Sequence, residues 1–188
     1  MLHLPHTSER IGSILSAMMI YGDECRTMKR RILKSVSLQE VTRTCIGTVL
    51  GIGGVTLLAE ATALPLIIAP FGASAVLLYS ATTSPLAQPR NLLIGHFVSA
   101  LIAITCCKVF GNGIVPTVAA VSLAIVVMML LDAVHPPGGA TALLCMLQNT
   151  TSYTFLLTPI VAGALILLAA AVIASMLVPK AKPYPAVK

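Results

Sequence analysis

Two proline-glycine breaks inside an apolar chain constrain this sequence more than any other feature. His135-Pro136-Pro137-Gly138-Gly139-Ala140-Thr141-Ala142-Leu143-Leu144 interrupts an apolar run that begins near Ile114. A weaker copy, Pro70-Phe71-Gly72-Ala73-Ser74-Ala75-Val76-Leu77-Leu78, lies 66 positions earlier. Aligned without a gap, Pro70 meets Pro136, Gly72 meets Gly138, and Leu77-Leu78 meet Leu143-Leu144. Proline removes a backbone donor and crowds the preceding turn, so a helix does not pass such a point undisturbed. A break repeated at a fixed interval reads as a membrane protein built twice, with one broken helix in each half.

The bilayer assignment rests on charge. Of the 188 residues, 57% are hydrophobic and 10% charged, whereas soluble domains carry roughly 25% charged residues. A helical span needs about 20 residues and a turn, so the length allows five or six crossings. A soluble sandwich with a large core is disfavoured by the same numbers. The expected fold is an all-α polytopic membrane protein of two three-element repeats, about 44–110 and 114–178.

The net charge of +6 is unevenly placed: seven of the twelve Lys and Arg residues precede Thr44. Directly before an apolar span, that excess reads as retention on the cytoplasmic or stromal side, not as a nucleic-acid arm. Residues 1–43 are therefore a basic N-terminal region, 44–178 the membrane domain and 179–188 a basic tail. The Lys29–Lys34 cluster suits an interfacial helix on anionic lipid or a segment packed beneath the bundle. Arg10–Ile20 is too short to span and does not read as a signal peptide.

Thr44–Ala61 forms the first span, with Gly47 and Gly51 spaced for close helix contact. In the next segment, Pro70 and Gly72 predict irregular backbone at membrane depth, followed by a helix over 73–81 whose N-terminus faces the break. Thr82–Asn91 is a polar loop stiffened by Pro85 and Pro89, with Asn91 placed to cap a helix beginning at Leu92. Gly111-Asn112-Gly113 is a turn. Ile114–Leu131, a broken element over 138–147, and Phe155–Val178 complete the chain.

Two topologies compete. Six crossings put the basic N-terminus, the Arg90 loop and the basic C-terminus on one side; four crossings, with re-entrant broken elements, move Arg90 across. Three crossings per repeat make the halves inverted, and their broken helices then present free N–H groups and positive dipole ends to one cavity. The six-crossing arrangement is the preferred one.

The candidate binding residues surround the breaks. Gly72, Ala73 and Ser74 in the first repeat, and His135, Gly138, Gly139 and Thr141 in the second, offer close backbone approach, hydroxyls and a titratable ring. For the glycines, tight helix packing is the competing explanation. His135 either faces the cavity or fixes the break by bonding a carbonyl, with Asp132, one helical turn away, as its expected partner. Gln88, Arg90, Asn91, His96 and Asp132 are candidates for gating or for supporting the site. His96 also fits a buried histidine satisfied by a neighbour, and Arg90 fits either anion steering or headgroup anchoring.

No catalytic set emerges, because the His-Asp pair lacks a nucleophile at an informative spacing. The five cysteines form no C-x-x-C pair, and the histidines do not form a metal motif. No enzyme activity, cofactor or metal is expected.

The same stretches resemble the HPP family of small integral membrane proteins, named for the motif present here as His135-Pro136-Pro137 and continuing to Leu143. A second shared stretch is Phe71–Leu78, followed by Ser84-Pro85-Leu86-Ala87-Gln88-Pro89-Arg90-Asn91 and Gly95-His96. The resemblance covers roughly residues 43–178. It implies a protein usually described with four transmembrane helices, and its cyanobacterial and chloroplast-envelope members are associated with nitrite transport. The expectation is therefore passage of a small monovalent anion, nitrite first, across a bacterial plasma membrane or the chloroplast inner envelope. Membrane lipids and a second or third copy of the chain are the expected partners, and nucleic acid is not. A passive channel for small anions or neutral solutes, and a membrane accessory subunit without flux, are the alternatives.

Overall fold

The computed structural model describes residues 37–63 and 68–186. The basic segment before residue 37, including Lys29–Lys34 and Arg10–Ile20, lies outside the described residues, as does Pro65. The fold is helical: α1 (Leu38–Thr62), α2 (Ile68–Ser80), a 3-10 turn (Pro85–Ala87), α3 (Pro89–Phe110), α4 (Ile114–Leu130), α5 (Pro136–Leu147), a π-type turn (Leu156–Val161) and α6 (Ala162–Leu177). Among the described residues, α1, α3 and the 156–177 segment are long and apolar enough to cross a membrane. At about 1.5 Å per residue, α2 and α5 are each roughly 18–20 Å long. The chain is an integral membrane protein, and its described residues form three long apolar segments and three shorter apolar helices.

Hydrogen bonds at the helix ends fix the direction of each element. Arg43, near the start of α1, donates to the Tyr79 carbonyl near the end of α2 and to the Lys182 carbonyl beyond α6. The Tyr184 hydroxyl donates to the Ala87 carbonyl just before α3. Arg90 at the start of α3 donates to the Leu131 and Asp132 carbonyls after α4, and Asn91 donates to the Val134 carbonyl before α5. The starts of α1, α3 and α5 therefore share one end of the body with the ends of α2, α4 and α6. At the other end, the Cys107 thiol of α3 meets Asn149 after α5, and Thr105 meets Tyr153 before the π-type turn. Consecutive helices run antiparallel, and α5 passes from one end to the other without turning back.

α3 packs against α5, and α2 against α6. The first contact is backbone on backbone: a Cβ on Gly138 would stand 2.8 Å from the Gly95 carbonyl oxygen. In the second, an aromatic ring fills a notch, for a Cβ on Gly163 would meet the Phe71 ring at 2.4 Å. Phe71, Leu78, Leu92, Ile104, Met146, Ile160 and Leu167 make up much of the buried core around them.

Several sequence expectations shift. α2 already begins at Ile68 and runs through Pro70 and Gly72, so the expected irregular backbone there is absent. In the first turn of a helix, proline sacrifices no intrahelical bond. Likewise, α5 starts at Pro136 with His135 as its N-cap, because Pro136 and Pro137 occupy positions that need no N–H. α3 starts at Pro89 behind Gln88 and not at Leu92 behind Asn91. The last span is not continuous: Thr158, before Pro159, leaves helical geometry with φ −131° and ψ 114°. Gly47 and Gly51 do not bring helix backbones together. They lie under the Tyr79 ring, whose hydroxyl donates to the Leu167 carbonyl at 3.2 Å.

The helix ends show ordinary capping physics. α4 closes with Asp132 in the left-handed region (φ 47°), and the Ala133 N–H reaches the Met128 carbonyl. α5 closes in the same way with Asn149 (φ 51°) and Thr150 on Cys145. Both are six-to-one closures, and short polar side chains tolerate the φ > 0 position best after glycine.

Candidate functional site

Four polar side chains meet inside this apolar body. Ser74 on α2, His135 at the start of α5 and Thr141 on α5 are 0% exposed, and His96 on α3 is 1% exposed. Ser74 Oγ lies 2.8 Å from His96 Nε2 and 2.9 Å from His135 Nε2. His96 Nδ1 lies 2.7 Å from Thr141 Oγ1. His135 Nδ1 is 2.8 Å from the Leu86 carbonyl oxygen, to which it donates. The two imidazole rings meet edge to face with centroids 5.1 Å apart, and the Phe71 ring leans on His96 at the same distance.

The helices place these groups by simple rules. Ser74 stands four residues after Pro70 and Thr141 four after Pro137, and each hydroxyl also touches that proline's carbonyl, at 3.2 and 3.3 Å. His96, one residue beyond Gly95, can bridge the two short helices because Gly95 and Gly138 let α3 and α5 approach closely. Nothing larger fits: a Cβ on Gly95 would stand 2.5 Å from His135 Cβ. Buried polar groups are costly when unpaired, and each atom of this cluster has a partner.

At the end of the body where α3 and α5 start lies the loop 82–91, where a cavity of about 490 Å³ is lined by Thr83, Gln88, Arg90, Asn91, Asp132 and Pro185 among others. Three of its side chains, Gln88, Arg90 and Asn91, hold backbone. Gln88 Nε2 donates to the Thr82 and Ser84 carbonyls, and its Oε1 accepts from the Ala186 N–H. Arg90 places its cation on the C-terminal carbonyls of α4, where the helix dipole favours it. Its side chain stands 3.9 Å from the Asp132 carboxylate, both groups well exposed. Asn91 secures the Val134 carbonyl beside His135. The loop thus sets the position of the Leu86 carbonyl that receives His135.

The model for the HPP transmembrane region matches residues 33–185. The chain belongs to the HPP family. That match reaches further at both ends than the motifs alone indicate, in keeping with a first helix that starts at Leu38 and a C-terminal segment in which Ala181 and Tyr184 are buried. Two Dictyostelium discoideum proteins described as transmembrane proteins are similar to it. One is 53% identical over 62 residues, which is 31% of this chain and 20% of the relative. The other is 46% identical over 66 residues, 33% of this chain and 23% of the relative. The chain thus matches about a fifth of the length of these curated relatives. No solved structure matches.

Of the residues singled out in this HPP protein's sequence, the structure gathers Ser74, His135 and Thr141 at one point and adds His96, assigned above to a supporting role. Gly138 packs against Gly95 and so serves helix contact. Gly72 and Gly139 have open space where a Cβ would stand, and Ala73 is exposed. Asp132 is not the partner of His135; it closes α4 and pairs with Arg90. The sequence reading missed the Leu86 carbonyl, a backbone group no side-chain pattern reveals. It also missed buried Arg43, which bonds Thr82 and Tyr79 from inside α1. Its signal was adjacency to the apolar span, which the cluster of basic residues before it obscured.

Proposed function

We propose that the protein carries a small monovalent anion, nitrite foremost, across its membrane through the junction of α2, α3 and α5. The observation that carries this reading is the Ser74–His96–His135–Thr141 cluster. Four polar side chains buried where two short helices meet a long one in an apolar membrane body mark a substrate or ion path more often than a structural need. The antiparallel order of six elements supports an inverted pair of repeats, with the polar junction shared between them. Nitrite comes from the likeness to the family's nitrite-associated members, and the small residues around the cluster suit a ligand of a few atoms. Arg90 and Asn91 at the mouth supply the cationic and donor groups that an anion meets first.

The resting cluster is closed, since its donors and acceptors satisfy one another. Passage requires the hydroxyls and rings to exchange these bonds for bonds to the anion. The test is saturable nitrite uptake into proteoliposomes, with nitrate, formate and chloride as competitors and His135→Ala alongside. Nitrite uptake that saturates and disappears in His135→Ala supports the reading. Equal competition by every anion turns it into a general small-anion pathway. Folded protein that moves none of them refutes it and favours an accessory subunit.

A further inference from the structure

We propose that Thr141, His96, Ser74 and His135 form a directional proton-binding relay, and that the site takes its anion together with one proton. The coupling rests on the transport reading above; the relay itself rests on the hydrogen bonds.

The positions of the protons follow by elimination. The Leu86 carbonyl can only accept, so the proton of neutral His135 is on Nδ1. His135 Nε2 is then an acceptor, fully buried, and Ser74 at 2.9 Å is the donor it contacts. Ser74 has one proton, and giving it to the more distant Pro70 carbonyl, at 3.2 Å, would leave the buried His135 Nε2 without a donor. Spent on His135, it leaves Ser74 Oγ to accept from His96, which must carry its proton on Nε2. His96 Nδ1 is then an acceptor, and the Thr141 hydroxyl at 2.7 Å supplies its proton. The chain reads Thr141 to His96 to Ser74 to His135 to Leu86, each side chain donating once. The two histidines hold opposite tautomers.

One added proton reverses it. A proton reaching the Thr141 oxygen displaces the hydroxyl proton to His96 Nδ1. His96 passes its Nε2 proton to Ser74, and Ser74 passes its own to His135 Nε2. Each transfer breaks one O–H or N–H bond and forms another, and the sum is one proton bound, with both His135 nitrogens protonated. No group loses a partner: the Thr141 hydroxyl now donates to the Pro137 carbonyl, 3.3 Å away. The new cation sits at the N-terminus of α5, and a buried cation is costly unless an anion accompanies it. Proton and anion therefore favour each other's entry.

Few other charges intervene among the described residues. Arg90 and Asp132 pair with each other at the mouth. From the neighbouring elements, the Tyr79 hydroxyl is engaged by Leu167 and the Cys107 thiol by Asn149. Cys145 of α5 lies beyond Thr141 in the core, Arg43 of α1 is bonded at Tyr79 and Thr82, and residues 156–177 carry no ionisable side chain.

Nitrogen-15 NMR of histidine-labelled protein, assigned by single histidine replacements, reads this directly. The expected result at high pH is His135 protonated on Nδ1 and His96 on Nε2. On acidification His135 gains its second proton and His96 moves its proton to Nδ1 in the same titration step. Ser74→Ala, or Thr141→Val where that variant folds poorly, separates the two events. The same tautomer on both rings, or a His96 indifferent to the titration of His135, overturns the relay. In proteoliposomes, nitrite uptake above that of protein-free vesicles should rise several-fold with an inward proton gradient. Saturable uptake indifferent to the gradient overturns the coupling while leaving the anion site intact. Coupled tautomers without uptake support the relay and refute the anion reading.

Discussion

α2 and α5 carry the same Pro-x-Gly motif and hold different chemistry. α5 presses Gly138 onto the backbone of α3 and brings His135 and Thr141 to the centre. α2 pushes the Phe71 ring into the notch at Gly163 and contributes one hydroxyl, Ser74. One Pro-x-Gly motif thus ends in a backbone contact and the other in a side-chain contact. Both prolines lie in the first turn of a helix, but α2 starts two positions earlier relative to Pro70 than α5 does relative to Pro136. The polar junction is asymmetric, and an asymmetric chain of donors can have a direction that two identical halves could not.

The largest expected effect separates the two motifs directly. Gly138→Val drives a side chain into the Gly95 carbonyl and should strip the protein of its folded state in detergent, read as loss of a monodisperse size-exclusion peak. Gly72→Ala, with no atom near its Cβ, should leave that peak and the melting temperature essentially unchanged. A wild-type melting temperature in Gly138→Val would show that α3 and α5 are not in backbone contact.

Next comes the ring-in-notch contact. Gly163→Ala should destabilise by about 1–3 kcal/mol, the usual cost of overpacking, because Phe71 is fully buried and cannot swing aside. Phe71→Leu should recover much of that loss, and a double-mutant cycle of thermal melts measures the coupling. Additive losses would place the ring elsewhere.

Smaller still is the effect at the α4 end. Asp132→Gly should retain stability within about 0.5 kcal/mol, since glycine adopts the left-handed position at least as well. Asp132→Val should lose about 1 kcal/mol or more from strain at φ 47°. Were Asp132 instead the partner that holds His135, glycine and valine would damage transport alike. The exposed Arg90–Asp132 pair itself should contribute little, as surface ion pairs do.

Much of this was legible in the sequence. The apolar composition carried the helical membrane fold, and Ser74, His135 and Thr141 stood out because polar side chains beside a proline-glycine stretch interrupt an apolar run. Proline in an apolar run reads as a break and so sets the expected helix starts too late, whereas in the first turn it is compatible with the helix. Proximity along the chain points Asp132 at His135, but Asp132 caps α4 in the left-handed region and stands by Arg90. Leu86, Tyr184 and Arg43 act on or through backbone carbonyls distant in sequence, and periodicity holds no record of such contacts.

Nitrite uptake by Ser74→Leu and Thr141→Leu proteoliposomes, each shown by size exclusion to be folded, tests most directly whether the α2–α3–α5 junction is the path. Saturable uptake should be lost in both, because either leucine fills the space between His96 and its hydroxyl partner. Uptake at the wild-type rate in both variants would contradict that and place the path outside the junction.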